Sequence, residues 1–169
     1  MTTRVRQARL DTDLDDVAEL WGEYLRWAND QLDAEFGFRM DIEAALAANL
    51  ADPSPFEPPD GRLLLAFDDT GAVGIACLQR LRPDTAEVKR MFVRPAARGC
   101  GVGKSLLDEL VTAARSIGYD RVLLDSARFM DTAHAMYRSA GFTDIDPYPE
   151  SAIPSELRHY WRFMELPLP

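Results

Sequence analysis

The segment from Ala86 to Leu107, AEVKRMFVRPAARGCGVGKSLL, constrains the fold of this chain more than any other. It predicts a strand that ends at Val93, a break at Arg94-Pro95, and a glycine-rich turn that leads directly into an amphipathic helix. Glycines at positions 99, 101 and 103 let the backbone bend tightly, so that several amide N–H groups converge on one spot. Because the helix N-terminus adds a partial positive charge, the turn is suited to hold a phosphate.

Basic side chains accompany this turn, since Arg94, Arg98 and Lys104 lie in it or beside it. Two common phosphate motifs nevertheless do not match. A P-loop requires a glycine five residues before Gly103, and that position is Arg98. A dinucleotide-binding fingerprint requires a third glycine, which neither possible register supplies. Turn chemistry alone therefore leaves two interpretations: a phosphate site, or a glycine-rich loop whose charges are merely solvated.

The order of predicted elements indicates a three-layer α/β (α+β) fold with a mixed sheet. Hydrophobic periodicity predicts helices from 11–13 to the early thirties and at 42–50, 103–117 and 131–140, the first capped by Asp11, Thr12 or Asp13. Gly118 and Gly141 end the last two helices. Strands are predicted at 5–10, 62–67, 72–82, 86–93, 122–124 and 160–166, with a hairpin turn at 68–71 and a proline-rich loop at 53–61.

Composition excludes several classes of protein. The chain has 169 residues, 47% of them hydrophobic, which is enough for one well-packed domain over residues 1–169. Its 28 acidic and 19 basic residues give a net charge of −9, which argues against binding to nucleic acid or anionic membranes. The longest apolar stretches are far shorter than the ~20 residues of a membrane span.

Targeting and metal signals are also missing from the sequence. The N-terminal residues MTTRVRQARL contain no apolar stretch of the kind that a secretory signal requires. Two cysteines, Cys77 and Cys100, and two distant histidines form neither a disulfide framework nor a metal-ligand cluster. We therefore expect a cytoplasmic protein without a metal.

Two motifs together resemble a known family. Residues 98–103 read Arg-x-x-Gly-x-Gly after a strand that ends in Val-x-Pro, and residues 137–142 read Tyr-x-x-x-Gly-Phe. Both are similar to motifs of the GNAT superfamily of N-acetyltransferases, and strand, loop, helix, strand and helix follow one another in the family's order. One position departs from the pattern, because Met130 stands where many members have an asparagine seven residues before the tyrosine.

The resemblance implies acetyl-CoA as cosubstrate and a mostly antiparallel sheet whose central strands splay apart to admit it. The main chain of the splayed strand would contact the pantetheine arm, with the Met91 N–H stabilising the oxyanion. The glycine-rich turn would hold the pyrophosphate. Carried over by position, the cofactor-binding residues are Met91, Phe92, Val93, Arg98, Gly99, Cys100, Gly101, Val102, Gly103, Lys104 and Ser105.

Catalysis by the family's route needs a proton acceptor and a proton donor. Tyr137 is the candidate general acid, since its phenol pKa of about 10 lies near that of an alkyl thiol; the alternative is a tyrosine that only packs on the cofactor. Glu87 is the candidate base, directly or through water, because strand alternation places it on the same face as Met91. The alternative for Glu87 is a surface glutamate paired with Lys89 or Arg80. His134, three residues before Tyr137, is interpreted as a packed helix histidine; the alternative is a contact with the substrate.

The resemblance implies direct transfer of acetyl to a primary amine in a ternary complex, with a small molecule as the acceptor. The alternatives are a protein or peptide acceptor and a non-catalytic acyl-CoA-binding module. A homodimer with a contribution from the strand at 160–166 is possible by analogy. Aromatic and acidic side chains in the regions that line the family's amine site suit an apolar or cationic acceptor: Trp21, Glu23, Tyr24, Trp27, Asp30, Asp33, Glu35, Phe36, Phe38, Tyr148 and Tyr160. The alternatives are aromatic side chains that pack helices on the sheet, which is the favoured interpretation for Trp21, and an acidic helix surface that is merely solvated.

Overall fold

A single seven-stranded sheet organises the protein in the computed structural model, which describes residues 3–169. The strands are β1 (Arg4–Gln7), β2 (Arg62–Asp68), β3 (Gly71–Arg82), β4 (Thr85–Val93), β5 (Arg121–Ala127), β6 (Thr143–Ile145) and β7 (Trp161–Pro167). Their order across the sheet is β1-β2-β3-β4-β5-β7-β6, and only β4 and β5 pair in parallel. The α/β class and the mostly antiparallel sheet are thereby confirmed.

Within residues 3–169, four α-helices cover the two faces of the sheet. They are α1 (Leu14–Phe36), α2 (Ile42–Ala51), α3 (Val102–Ile117) and α4 (Asp131–Ser139). Alternation along β2 separates two cores: Leu63 and Leu65 pack with α1, whereas Leu64 and Ala66 pack with α3. None of the helices within residues 3–169 is both long and apolar enough to span a membrane.

The boundaries differ from the predicted ones where side chains compete for backbone groups. Strand β1 ends at Gln7 rather than residue 10, because the chain turns through Arg9. Asp13 is the N-cap of α1, but its carboxylate accepts hydrogen bonds from the Arg9 N–H and the Arg6 guanidinium instead of a helix amide. Strand β6 was not predicted, since a strand of three residues is too short for a periodic pattern.

The central strands splay apart as the family resemblance implied. Strands β4 and β5 pair only from Thr85↔Arg121 to Val88↔Leu124, although β4 continues to Val93 and β5 to Ala127. Beyond Val88 the β5-facing edge of β4 has no strand partner within the described residues. A gap therefore opens in the middle of the sheet.

A bulge in β4 sits beside this gap. Ile75 pairs with Phe92 and Cys77 with Lys89, so β4 has one residue more than β3 in this interval. Arg90 lies in the bulge and has a φ of 51°. It is the only non-glycine residue with positive φ among residues 3–169. The bulge reverses the alternation of β4 side chains, and consequently the prediction that Glu87 and Met91 share a face is wrong.

Strand β7 lies inside the sheet. It pairs with β5 along its length and with β6 over residues 163–165. Because both of its edges are occupied there, β7 offers no free edge at those residues to a second copy of the chain.

Candidate active site

A cavity of about 340 Å³ occupies the gap between the splayed strands. Its floor is formed by β4 and β5, one wall by α1, α2 and the connection between them, and the opposite side by residues around 129, 152 and 161. The polar and charged side chains that line it include Tyr24, Lys89, Arg90, Asp125 and Tyr137. A small organic molecule fits a cavity of this size.

Tyr137 reaches the cavity from α4. It is only 6% exposed, and its hydroxyl lies 3.8 Å from the sulfur of Met91 on β4. Burial raises the pKa of Tyr137 above its ordinary value, and the nearby Tyr24 and Asp125 act in the same direction. The phenol therefore keeps its proton at neutral pH, as a proton donor must.

The glycine-rich turn presents a row of free amides. Gly99 and Gly101 adopt φ of 78° and 82°, a conformation that other residues adopt only with strain. The N–H groups of residues 99–104 donate to no backbone carbonyl in the described part of the chain, whereas Ser105 N–H already bonds to the Gly101 carbonyl. These unpaired donors at the N-terminus of α3 are the chemistry that a phosphate requires.

The basic side chains near this turn do not all face it. Arg94 instead forms ion pairs with Glu19 and Glu23 of α1, 2.9 and 2.7 Å away. Arg98 donates from Nε to the Val93 carbonyl and lies over the rings of Trp27 and Phe92. The exposed Lys104 pairs with Asp108 one helical turn further on.

Glu23 and Arg94 are thus structural partners that tie α1 to the end of β4. The expectation that Arg94 adds charge to the phosphate site is wrong, and so is the expectation that Glu23 is available to an amine. Of the other acidic residues of α1, Asp30 and Asp33 both pair with Arg39.

A second cavity of about 320 Å³ adjoins the glycine-rich turn between α3 and α4. Arg115 and the Lys104–Asp108 ion pair lie at its rim, and Leu107, Val111 and Met136 form an apolar base. The site thus extends from the gap in the sheet, past the free amides, to a groove with charged edges.

The three predicted β4 contacts do not all face the same side of the sheet. Met91 lines the cavity, while the ring of Phe92 packs against Tyr24 and Trp27 on the α1 side. The Val93 side chain packs against the α3 core, and the Val93 carbonyl accepts the hydrogen bond from Arg98 Nε. Cys100 is exposed in the turn, where its backbone N–H is one of the free amides.

Glu87 does not line the cavity. It is 1% exposed, and its carboxylate accepts hydrogen bonds from Gln79 at 2.7 Å, the Tyr148 hydroxyl at 2.7 Å and Lys89 at 3.3 Å. It lies opposite Gln79 in the β3–β4 ladder. The ion pair with Lys89 agrees with the alternative interpretation of Glu87. The pair is buried, however, and does not lie on the surface.

Asp125 is the carboxylate that the structure brings to the cavity, and sequence reasoning missed it. It accepts a hydrogen bond from Ser151 at 2.9 Å and lies 3.4 Å from the Tyr148 hydroxyl and 3.9 Å from Lys89. The sequence did contain a signal for Asp125, because this residue directly follows the predicted strand at 122–124. Functional groups commonly lie at the carboxyl ends of parallel strands.

His134 is buried in α4, and neither ring nitrogen has a hydrogen-bond partner in the part of the chain described. Burial lowers its pKa below the ordinary value, and the positive charges of Arg162 and Arg138 lower it further. Since it does not line the cavity, its placement agrees with a packed helix histidine.

The predicted aromatic residues divide into two groups. Trp21 is fully buried in the α1 core. Phe36 stacks with Phe38 and Tyr160 at the end of α1, and Phe38 is tilted against Tyr160. Tyr24 alone of these reaches the cavity, where Phe129 and Trp161, which were not predicted, join it.

The structure combines splayed strands, free amides at a helix N-terminus and a protonated tyrosine that lines the gap between the strands. This combination agrees with an acyltransferase. A sequence model described as the Acetyltransferase (GNAT) family matches residues 15–142. Since this match covers more than half of the chain, the protein belongs to the GNAT family of acetyltransferases.

Similar proteins carry related names. An uncharacterized N-acetyltransferase of Schizosaccharomyces pombe is 32% identical over 89% of this chain and 89% of its own length. The IAA acetyltransferase of Azospirillum brasilense is 35% identical over 82% of this chain and 87% of its own. The crystal structure of the PaiA N-acetyltransferase from Thermoplasma acidophilum in complex with coenzyme A superposes with a TM-score of 0.76, at 20% identity, over 99% of this chain and 100% of that one.

Proposed function

We propose that this protein transfers acetyl from acetyl-CoA to the primary amine of a small molecule, by direct attack in a ternary complex. One observation carries the proposal: the Tyr137 phenol and the Asp125 carboxylate line the same small cavity, which opens where β4 and β5 separate. A proton donor and a proton acceptor are thus available at one place, as acyl transfer to an amine requires.

The glycine-rich turn and the groove beside it have the chemistry needed to bind an acyl-CoA donor. The free amides of residues 99–104 would hold its pyrophosphate, and the groove with Lys104 and Arg115 at its rim would take the nucleotide end. The edge of β4 around Met91 and Val93 lies between this turn and the cavity. Bound acetyl-CoA would supply the acetyl group as a thioester.

Each residue of the cavity has a distinct proposed role. Asp125 would accept the proton that the attacking amine must lose, directly or through water, in place of the buried Glu87. The Met91 N–H would stabilise the oxyanion, and Tyr137 would donate the proton that the departing sulfur gains. Glu87 would orient Tyr148 and Lys89 beneath the cavity.

A small acceptor is favoured over a protein because the cavity is walled on several sides. Helices α1 and α2 stand on one side and Ile153 and Trp161 on the other, around a volume of about 340 Å³. An extended peptide would need an open groove. The cytoplasm, a reducing compartment in which Cys77 and Cys100 stay free, is the proposed location.

The test is calorimetric titration of the purified protein with acetyl-CoA, with ATP and NAD as controls, followed by an amine panel assayed for thiol release. We expect binding of acetyl-CoA alone, and turnover with one class of small amine. Turnover only with peptides would support the protein-acceptor alternative. Binding without turnover on any amine would favour a non-catalytic acyl-CoA-binding module, and no binding would refute the proposal.

A further inference from the structure

The side chain of Arg90 has an unusual setting at the β4 bulge. Its φ of 51° belongs to the left-handed region, which costs a residue with a side chain about 1–2 kcal/mol. The bulge turns Arg90 to the α1 side of the sheet, where its guanidinium lies 5.1 Å from the ring of Trp21 and 4.8 Å from that of Phe56. Arg90 is also one of the residues that line the cavity, next to Lys89 and Met91.

Among residues 3–169, no carboxylate forms a direct ion pair with the guanidinium of Arg90. It forms neither an ion pair nor a hydrogen bond with any other residue in the range 3–169. Of the nearby carboxylates, Glu87 is held by Lys89, Gln79 and Tyr148. Asp125 is held by Ser151 and lies near Tyr148 and Lys89. Burial accordingly lowers the pKa of Arg90 below its ordinary value.

The rings of Trp21 and Phe56 give the guanidinium cation–π contacts, but they do not neutralise its charge, so an anionic ligand that reaches it gains a full ionic partner. A carboxylate suits a guanidinium best, since two parallel hydrogen bonds match its planar fork. The charge of the whole chain, −9, does not attract anions, so an anionic acceptor needs a specific cation inside the site.

The rest of the cavity indicates what else the acceptor carries. The wall from α1, α2 and their connection is mostly apolar, with Tyr24 and Asn49 as its polar members: Leu25, Ala28, Leu32, Met40, Ala45 and Ala48. Asp125 and Tyr137 lie where an amine would react. The cavity therefore combines a cation, an apolar wall and an amine-binding end.

We propose that Arg90 is a specificity-determining residue that binds a carboxylate of the acceptor, so that the preferred acceptors are primary amines carrying a carboxylate on an apolar body. This inference rests on the proposed function. Polyamines are disfavoured, because a second ammonium group would meet the guanidinium of Arg90.

The test compares apolar amino acids with their decarboxylated amines, for example leucine with isopentylamine. Wild-type kcat/KM should favour the carboxylate-bearing member of each pair. Arg90→Gln should remove this preference, raising KM for the amino acid about 10- to 100-fold, as loss of a charged hydrogen bond implies. The loss with isopentylamine should be much smaller than the loss with leucine, and Arg90→Lys should retain part of the preference.

Two controls separate specificity from folding. Arg80→Gln removes an arginine on β3 that pairs with Asp60 outside the cavity, and it should leave both amines unaffected. If Arg90→Gln does not fold, Arg90→Gly replaces it, because glycine adopts positive φ freely. Equal losses with both amines in an Arg90 variant would overturn the inference in favour of a structural role.

The two proposals fail differently. A wild-type protein that acetylates isopentylamine as well as it acetylates leucine refutes the role of Arg90 and leaves the proposed function intact. If the protein acetylates neither amines with a carboxylate nor amines without one, the proposed function and this inference both fall.

Discussion

The hydroxyl of Tyr137 lies 3.8 Å from the sulfur of Met91, and this contact joins α4 to β4 across the gap in the sheet. The two residues come from elements that do not pair with each other. Their side chains meet only because β4 and β5 separate after Val88 and Leu124. A proton donor thereby lies beside the strand whose main chain would contact the acyl group.

Replacing Tyr137 with phenylalanine tests the role of the hydroxyl. If the phenol protonates the departing sulfur, Tyr137→Phe should lower kcat roughly 10²-fold or more. The affinity for acetyl-CoA should change little, since the ring and its packing against Phe142 remain. Steady-state kinetics and titration calorimetry measure the two quantities, and an unchanged kcat would refute the role.

The conformation of Gly101 leads to a second prediction. Its φ is 82°, and no atom lies within 4 Å of the position that an alanine methyl group would take. Gly101→Ala therefore meets backbone strain of about 1 kcal/mol but no steric clash. Rotation of the turn to relieve this strain would misalign at least one phosphate-binding amide. We expect acetyl-CoA to bind about 10-fold more weakly, measured by calorimetry.

Gly118→Ala is the matched control at the other end of α3. Gly118 also has positive φ, 99°, and open space around it. The variant should lose similar stability in urea unfolding yet bind acetyl-CoA as the wild type does. Equal loss of affinity in both variants would indicate general destabilisation rather than a phosphate-binding turn.

The roles of the two carboxylates can be separated by amide substitutions. Asp125→Asn should lower kcat/KM for the amine about 10²-fold at neutral pH if Asp125 accepts the proton. The defect should shrink as pH rises, because more of the amine is then neutral in solution. Glu87→Gln should lower the melting temperature and keep most of kcat, since it disturbs a buried network. The reverse pattern, with pH rescue confined to Glu87→Gln, would restore Glu87 as the base.

The pair Asp13–Arg6 makes stability depend on pH. The hydrogen bond from Arg6 is the main cause that lowers the pKa of Asp13 from 3.8 to about 2, and the carboxylate is buried, with 7% of its side chain exposed. A lowered pKa in the folded state stabilises the fold fully above the unfolded-state value of 3.8, and this stabilisation is lost as pH falls towards 2. The contribution at pH 7 is about 2 kcal/mol.

Urea unfolding of Asp13→Asn measures this contribution. The variant should be less stable than the wild type by about 2 kcal/mol at pH 7, with roughly half of the difference gone at pH 3. The exposed Asp11→Asn is the control and should change stability at neither pH. A difference for Asp13→Asn that does not depend on pH would exclude the ion pair as its origin.

Local chemistry made several elements predictable. Asp41 caps α2 with a hydrogen bond from the Ala44 N–H, and Gly118 ends α3 in the left-handed conformation, both at positions marked by residue type alone. The glycine-rich turn was predictable for the same reason, because Gly99 and Gly101 are residues that adopt positive φ at little cost. Short-range effects of this kind depend on a few neighbouring residues.

The misplaced residues share a different cause. Strand alternation predicted Glu87 beside Met91, but the bulge at Arg90 depends on how β4 pairs with β3, which no local pattern on β4 reveals. Arg94 has the charge of a phosphate ligand, but its partner is Glu23 on α1, 71 residues away. Pairings over such distances are decided by packing of the whole chain.

The sequence by itself determined the order of the elements apart from β6, the glycine-rich turn and the tyrosine of α4, because each follows from backbone preferences and periodicity among neighbouring residues. Only the tertiary structure decided that β4 and β5 separate, that Asp125 rather than Glu87 lines the cavity, and that Arg90 lines it without a direct ion pair among residues 3–169. Those features depend on strand register and on contacts between elements far apart in sequence, where burial and charge pairing act together.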